Sequence, residues 1–380
     1  MNGILDFIAK QTDGYSYKSF KYCIDSIAVP QLQYDDKQDI SATKRGETQI
    51  LKSAVNLESL VKAEQARGRP IFKFFLDGSR RTYKVDDLAY GPRLYPAVAG
   101  QIGIACCERE SKDDFKPVQF ERSLVLSIPN SANPGSHQHF FSNLLKKLNQ
   151  EEYLKKRGLQ FSKILNYKEK DGDEYEKKAI ATIQNEMVDQ EKRLVGSLAQ
   201  NKILSASGYL IKDGSLEYGK MPEMGEFGLL GKVKSNYKYV VGVSKAFNPE
   251  SMAKTEPKIS KSIAGLPLNH RTPVIKYTVD RVGQDVWFAV WYLRVRHIKY
   301  CHSPYDGVVK VEKILVSEKE TEQGLETDEV NLISANIINE SFPVCYGHDT
   351  RWAKHLYPIY LTESYAKSKY ISDLHFINLF

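Results

Sequence analysis

The chain has 380 residues, and 54 Lys plus Arg against 47 Asp plus Glu leave a formal charge of +7. Hydrophobic residues at 42% and charged residues at 27% are ordinary globular proportions, which excludes a mostly disordered chain and allows one enlarged domain or two. The longest apolar run, Val286 to Leu293, is eight residues, against the roughly 20 that span a bilayer.

No membrane partner is therefore expected. No secretory signal is expected at the start either, because Met1-Asn2-Gly3-Ile4 has no basic region followed by an apolar one. The charge surplus permits a nucleic-acid partner without demanding one. The five cysteines, Cys23, Cys106, Cys107, Cys301 and Cys345, include no CxxC pair. They read as reduced thiols of a cytoplasmic protein rather than a zinc site.

In chain order, residues 1–68 read as an N-terminal helical segment, with a helix over 48–67. Residues 69–380 read as the main domain, with a helical insertion at about 108–175. The aromatic run Ile71–Leu76, bounded by Arg69-Pro70 and Gly78, reads as a buried strand. Ile102–Cys107 and Ser123–Ile128 read as two more. From Phe140 to Leu204 the composition is helical, with a turn at Lys170-Asp171-Gly172-Asp173. Gly208–Lys212 and Tyr237–Val243 are short strands. Phe247–Ala264, with Lys254, Lys258 and Lys261, reads as a basic loop. Asp285–Val295 is expected to pair with Val308–Val316, and the chain turns helical from Leu361. The fold class is α/β, a mixed central sheet flanked by helices.

Two tripeptides carry the chemistry. Asp77-Gly78-Ser79 follows the strand ending at Leu76, and Asp213-Gly214-Ser215 follows the strand ending at Lys212. Each places a carboxylate at the C-terminal end of a strand, where open α/β sheets bind ligands. Each glycine permits a sharp turn and leaves space beside the carboxylate.

Between them, Ile180, Ile183, Met187, Leu194 and Leu198 form one stripe at roughly 100° per residue. Glu191 lies inside that stripe, where a bare carboxylate is costly to bury, so it needs a cationic side chain or a metal. Glu186 and Asp189 fall off the stripe and read as solvated. Three carboxylates of this kind could hold Mg²⁺ or Mn²⁺ through hard oxygen donors. Lys245, just past its strand, reaches the same sheet end if that strand is parallel to the other two. Arg80 and Arg81 are candidates for a phosphate backbone.

The series Phe75-Leu-Asp-Gly-Ser-Arg80, a Glu-bearing helix, Tyr209-Leu-Ile-Lys-Asp-Gly-Ser-Leu216, Val241-Gly-Val-Ser-Lys245 and Tyr357-Pro-Ile-Tyr-Leu361 resembles the NurA nuclease family over residues 70–370. The resemblance implies an RNase H-like core and a manganese-dependent DNA nuclease. It also implies a homodimer and a HerA-type hexameric DNA-translocating ATPase as partner. Carried over, Asp77 and Asp213 match the metal carboxylates and Lys245 the motif lysine. Glu191 is the choice for the helix acid and Glu186 the runner-up. The family places His or Asp seven residues beyond the proline, where this chain has Tyr365. Glu363 substitutes as a fourth ligand, or the site works with three acids, or its metal affinity is reduced. The rival is a catalytically weak DNA-clamping adapter for the ATPase.

Overall fold

The apolar run that ends at Leu76 opens a 19-residue strand, β1 (Phe72–Tyr90). The computed structural model describes residues 3–17, 21–26, 40–43, 45–133, 135–170, 174–216, 227–250, 257–279, 286–345 and 352–380. Strand β1 turns back as β2 (Arg93–Arg109) and again as β3 (Phe115–Pro129), an antiparallel meander. β4 (Lys163–Tyr167) lies parallel to β3 at the edge. On the other side of β1, β5 (Tyr209–Asp213) and β6 (Val240–Ser244) are parallel to it and to each other. β7 (Ile275–Val279), β8 (Trp287–Arg294) and β9 (Val308–Ile314) complete the sheet in antiparallel fashion. The order is the Ile40–Thr43 strand, β7, β8, β9, β6, β5, β1, β2, β3, β4.

The central strands are apolar on both faces because helices cover both. Even-numbered side chains such as Phe74, Leu76 and Leu210 pack with Ile183, Met187 and Leu194 of one long helix. Odd-numbered ones such as Phe75, Ile211, Val241 and Val243 pack with Ile333, Ile337 and Ile359 from two others. The helices are labelled α1 (Glu58–Arg67), α2 (Tyr175–Gln200), α3 (Thr327–Glu340) and α4 (Tyr357–Ser368). The alternation follows from the two-residue period of a strand. A third apolar cluster, around Tyr83, Val85 and Leu88, is closed by Ile4, Leu5, Ile8, Phe376 and Leu379.

Several expectations change. The helix expected over 48–67 begins only at Glu58. Val55-Asn56 bridges to His270-Arg271, and the Asn56 side-chain oxygen accepts from the Glu58 amide at 2.8 Å, starting the helix there. The 1–68 segment is thus helical at Ile4–Gln11 and Glu58–Arg67, while Tyr15–Tyr17, Tyr22–Cys23 and Ile40–Thr43 join the sheet.

The expected helical insertion at 108–175 is partly β. It contains β3, the short helices Phe140–Leu148 and Glu152–Lys155, and β4. Helical composition misled at Lys163–Tyr167 because the open edge of β3 recruits that segment as a strand. The C-terminal helix starts at Tyr357 with Pro358 in its first turn, where a missing amide hydrogen costs nothing. Asp171 to Asp173, Lys254 and Asp285 lie outside the described residues. None of the five cysteines is in a disulfide. Among the described residues no helix is long and apolar enough to cross a membrane.

Candidate functional site

The first Asp-Gly-Ser is not a turn. Asp77, Gly78 and Ser79 pair with Ala105, Ile104 and Gly103 in the middle of β1. What ends at Leu76 is the neighbour: β5 pairs with β1 only from Phe72 to Leu76. Asp77 therefore stands at the C-terminal end of the parallel strands although its own strand continues. The second Asp-Gly-Ser does end its strand: Gly214, at φ +82°, bridges to Val243, its amide donating to the Val243 carbonyl at 2.9 Å, and the chain bends away by Leu216. β6 is parallel to β5, with Val243 opposite Asp213, so Lys245 reaches the same sheet end.

The alternation then sorts the side chains by face. Asp77, Asp213 and Lys245 continue the odd series of Phe75, Ile211 and Val243. They face the layer that contains α4, which carries Glu363. Lys245 Nζ lies 3.0 Å from Asp213 Oδ2. Lys212 continues the even series; its Nζ lies 3.0 Å from Glu191 Oε2, an ion pair, and donates to the Asp213 carbonyl at 2.7 Å.

Glu191 thus comes from α2, on the opposite side of the sheet from α4. It gets close because Gly78 has no side chain: a Cβ there would lie 2.2 Å from Glu191 Oε1. The glycine supplies the expected space, and the helix acid fills it.

Electrostatics tie the two faces together. Asp77 is 4% exposed. Burial first, then the charges of Asp213 and Glu363, push its carboxyl well above the usual range; Lys245 opposes this and Glu191 adds to it. Burial likewise raises Glu191, against the pull of Lys212, with Asp213 adding to the rise. Asp77 Oδ2 is buried and has no hydrogen-bond partner among the described residues. Four carboxylates, Asp77, Glu191, Asp213 and Glu363, meet two buried ammonium groups, Lys212 and Lys245. With the half-exposed Lys367, 2.6 Å from Glu363 at the rim, three ammonium groups stand against four carboxylates, a formal surplus of one negative charge (4 − 3).

The other candidates are placed differently. Glu186, expected to be solvated, is buried, with Lys163 at 2.7 Å and Arg193 at 3.2 Å. Burial alone would raise its pKa; these cations and the Gln190 amide hold it below the ordinary value. Arg80 pairs with Asp25 at 3.1 Å and donates to Gln184, and Arg81 pairs with Asp373 at 2.8 Å. Tyr365 packs edge-on against Phe120, with the Lys369 ammonium 5.1 Å from its ring centre.

Two participants were not foreseen. Lys212 was overlooked although a lysine inside the apolar strand Tyr209–Ile211 signals a buried counter-charge. Glu312 was also overlooked. It is fully buried on β9, and its Oε2 accepts from Ser215 Oγ at 2.8 Å and from the Leu216 amide at 2.7 Å. Burial alone would raise its pKa, but Lys310, 2.5 Å away, and these donors hold it below the usual value. Its signal was the Lys310–Glu312 spacing, which puts opposite charges on one face of a strand.

Among the described residues no group of three or more His, Cys, Asp or Glu side chains is placed so that it could hold a metal ion. The donor chemistry is nevertheless the type that hard divalent cations take. All are carboxylate oxygens, the net charge is negative, and Asp77 Oδ2 is an acceptor without a donor. Comparison with protein-family models and with curated protein sequences gives no match.

Proposed function

We propose that the chain is a divalent-metal-dependent deoxyribonuclease with an RNase H-like core, holding Mn²⁺ or Mg²⁺ through Asp77 and Asp213, with Glu191 and Glu363 completing the acidic centre. The single observation that carries this reading is the convergence of four carboxylates with one orphaned buried oxygen, Asp77 Oδ2, at the C-terminal end of parallel strands. The sheet supports the core assignment. An antiparallel meander, β1 to β3, sits beside two strands parallel to β1, with helices on both faces.

A cation bound there supplies Lewis acidity toward a phosphoryl oxygen and lowers the pKa of water. The chain's own groups do the rest. Asp77 and Asp213 supply negative charge from adjacent strands. Lys245 places an ammonium on the same face to meet the charge that develops on a phosphodiester. Lys212 keeps Glu191 in place from beneath the sheet. The resemblance of the motifs adds DNA as substrate, a homodimer, and a HerA-type hexameric ATPase as partner, all within the same reading.

The test is direct. Purified protein is incubated with linear DNA and Mn²⁺, with EDTA in a parallel reaction and with Asp77→Asn protein in a third. Cleavage that depends on Mn²⁺ and on Asp77 is expected. Cleavage unaffected by Asp77→Asn overturns the site.

A second reading, a catalytically weak DNA clamp for the ATPase, is favoured by Tyr365. It stands where the resembled family has His or Asp, and it is committed to Phe120 and Lys369. DNA retention without cleavage in Mn²⁺ would select that reading.

A further inference from the structure

We propose that Glu312 is a positioning residue for the acidic centre: from two places away in the sheet, it fixes the turn that carries Asp213. The inference rests on the nuclease reading above. Asp213 ends β5 within the field of Asp77 and Glu191, and the residues after it must turn away. Like charges repel, so the turn is driven outward unless something holds it. Two tethers do so. The Gly214 amide is bound to Val243 on β6, and Ser215 and Leu216 are bound to Glu312 on β9.

Glu312 is itself held on every side. Its Oε1 accepts from the Tyr277 hydroxyl at 3.0 Å and pairs with Lys310, and both Glu312 and Lys310 are fully buried. Lys310 also lies over the Tyr277 ring, 5.6 Å from its centre. A carboxylate with this many fixed donors does not move to follow the turn, so the turn conforms to it. Such partners, one step removed from the binding groups, set how well those groups are aimed.

The experiment measures Mn²⁺ binding by calorimetry and amide hydrogen exchange at Leu216 in the full chain. Wild type, Glu312→Gln and Glu47→Gln are compared. Glu47 is the control: it is also buried, and it grips Arg271 with both oxygens at 3.0 and 2.7 Å, without contacting the turn. The expected result is Mn²⁺ affinity about 10-fold or more weaker in Glu312→Gln, with faster Leu216 exchange. Glu47→Gln, at a similar loss of thermal stability, is expected to stay within about 2-fold of wild type. Equal affinity in Glu312→Gln and wild type overturns the proposal, as does an equal loss in both variants.

Should Glu312→Gln fail to fold, Ser215→Ala removes one tether only. An affinity drop of about 10-fold, the low end for such partners, is then expected; no drop overturns the proposal. Wild-type protein that neither binds Mn²⁺ nor cleaves DNA defeats the nuclease reading itself. Wild type that binds while the Glu312 variant binds equally well defeats only this inference.

Discussion

A Cβ atom at Gly78 would lie 2.2 Å from Oε1 of Glu191, so the strand residue lacks a side chain where the helix residue occupies its space. This contact brings an acid from α2 into the field of Asp77 and Asp213, which face the other side of the sheet. It predicts that Gly78→Ala forces Glu191 off its position. Overpacking of this kind costs about 1–3 kcal/mol. Thermal melts read that loss, and Mn²⁺-dependent cleavage is expected to fall to near the level of Asp77→Asn. Wild-type cleavage by Gly78→Ala would show that Glu191 is not needed where it lies.

Asp77 is held buried among like charges. Replacing it by Asn removes a charge that the native state disfavours. Without metal, at pH 8, Asp77→Asn is expected to be more stable than wild type by about 1 kcal/mol, while cleavage is lost. Urea unfolding with EDTA present measures the first and nuclease assays the second. Added Mn²⁺ is expected to raise the melting temperature of wild type and leave Asp77→Asn unmoved.

Lys212 and Glu191 are a buried pair, 6% and 3% exposed at their side chains. Breaking such a pair from one side leaves an uncompensated buried charge and costs about 3–5 kcal/mol. Lys212→Met alone is expected to lose that much. Lys212→Met combined with Glu191→Leu is expected to recover most of it, with no recovery of cleavage. A double-mutant cycle by chemical denaturation tests the coupling.

Glu340, at the end of α3, pairs with Arg109 in the interior. Burial outweighs the guanidinium and pushes its carboxyl up to about 7 from 4.5. Between those values the native state binds a proton that the unfolded chain has released. Its contribution to stability is full below pH 4.5, falls as pH rises, and is lost above about 7. The span is on the order of 3 kcal/mol. Glu340→Gln is expected to flatten the decline between pH 4.5 and 7. An unchanged slope in urea unfolding across that range would remove Glu340 as its source.

The sequence by itself determined the local facts. Apolar runs at Ile71–Leu76, Tyr209–Ile211 and Val240–Val243 had to become buried strands. The stripe on α2 had to pack inward, and Glu191 within it had to find a partner. The choice of Glu191 over Glu186 follows from that stripe, and the structure places Glu191, not Glu186, beside Gly78. The pairing of β8 with β9 was legible for the same reason.

Only the tertiary structure decided the rest. Helical composition around Lys163–Tyr167 gave way to the open edge of β3. The first Asp-Gly-Ser became the middle of a strand because β2 pairs along its full length, while the second ended its strand, held by Glu312 and Val243. Identical tripeptides thus took different conformations under different long-range hydrogen bonds, which no local window contains. The partner of Glu191 proved to be Lys212, from a strand fixed only by the sheet order. The charge of +7 shows the same division. Its sum is read from the chain, but the acidic surplus of one at the sheet end exists only after folding sets four carboxylates against three lysines.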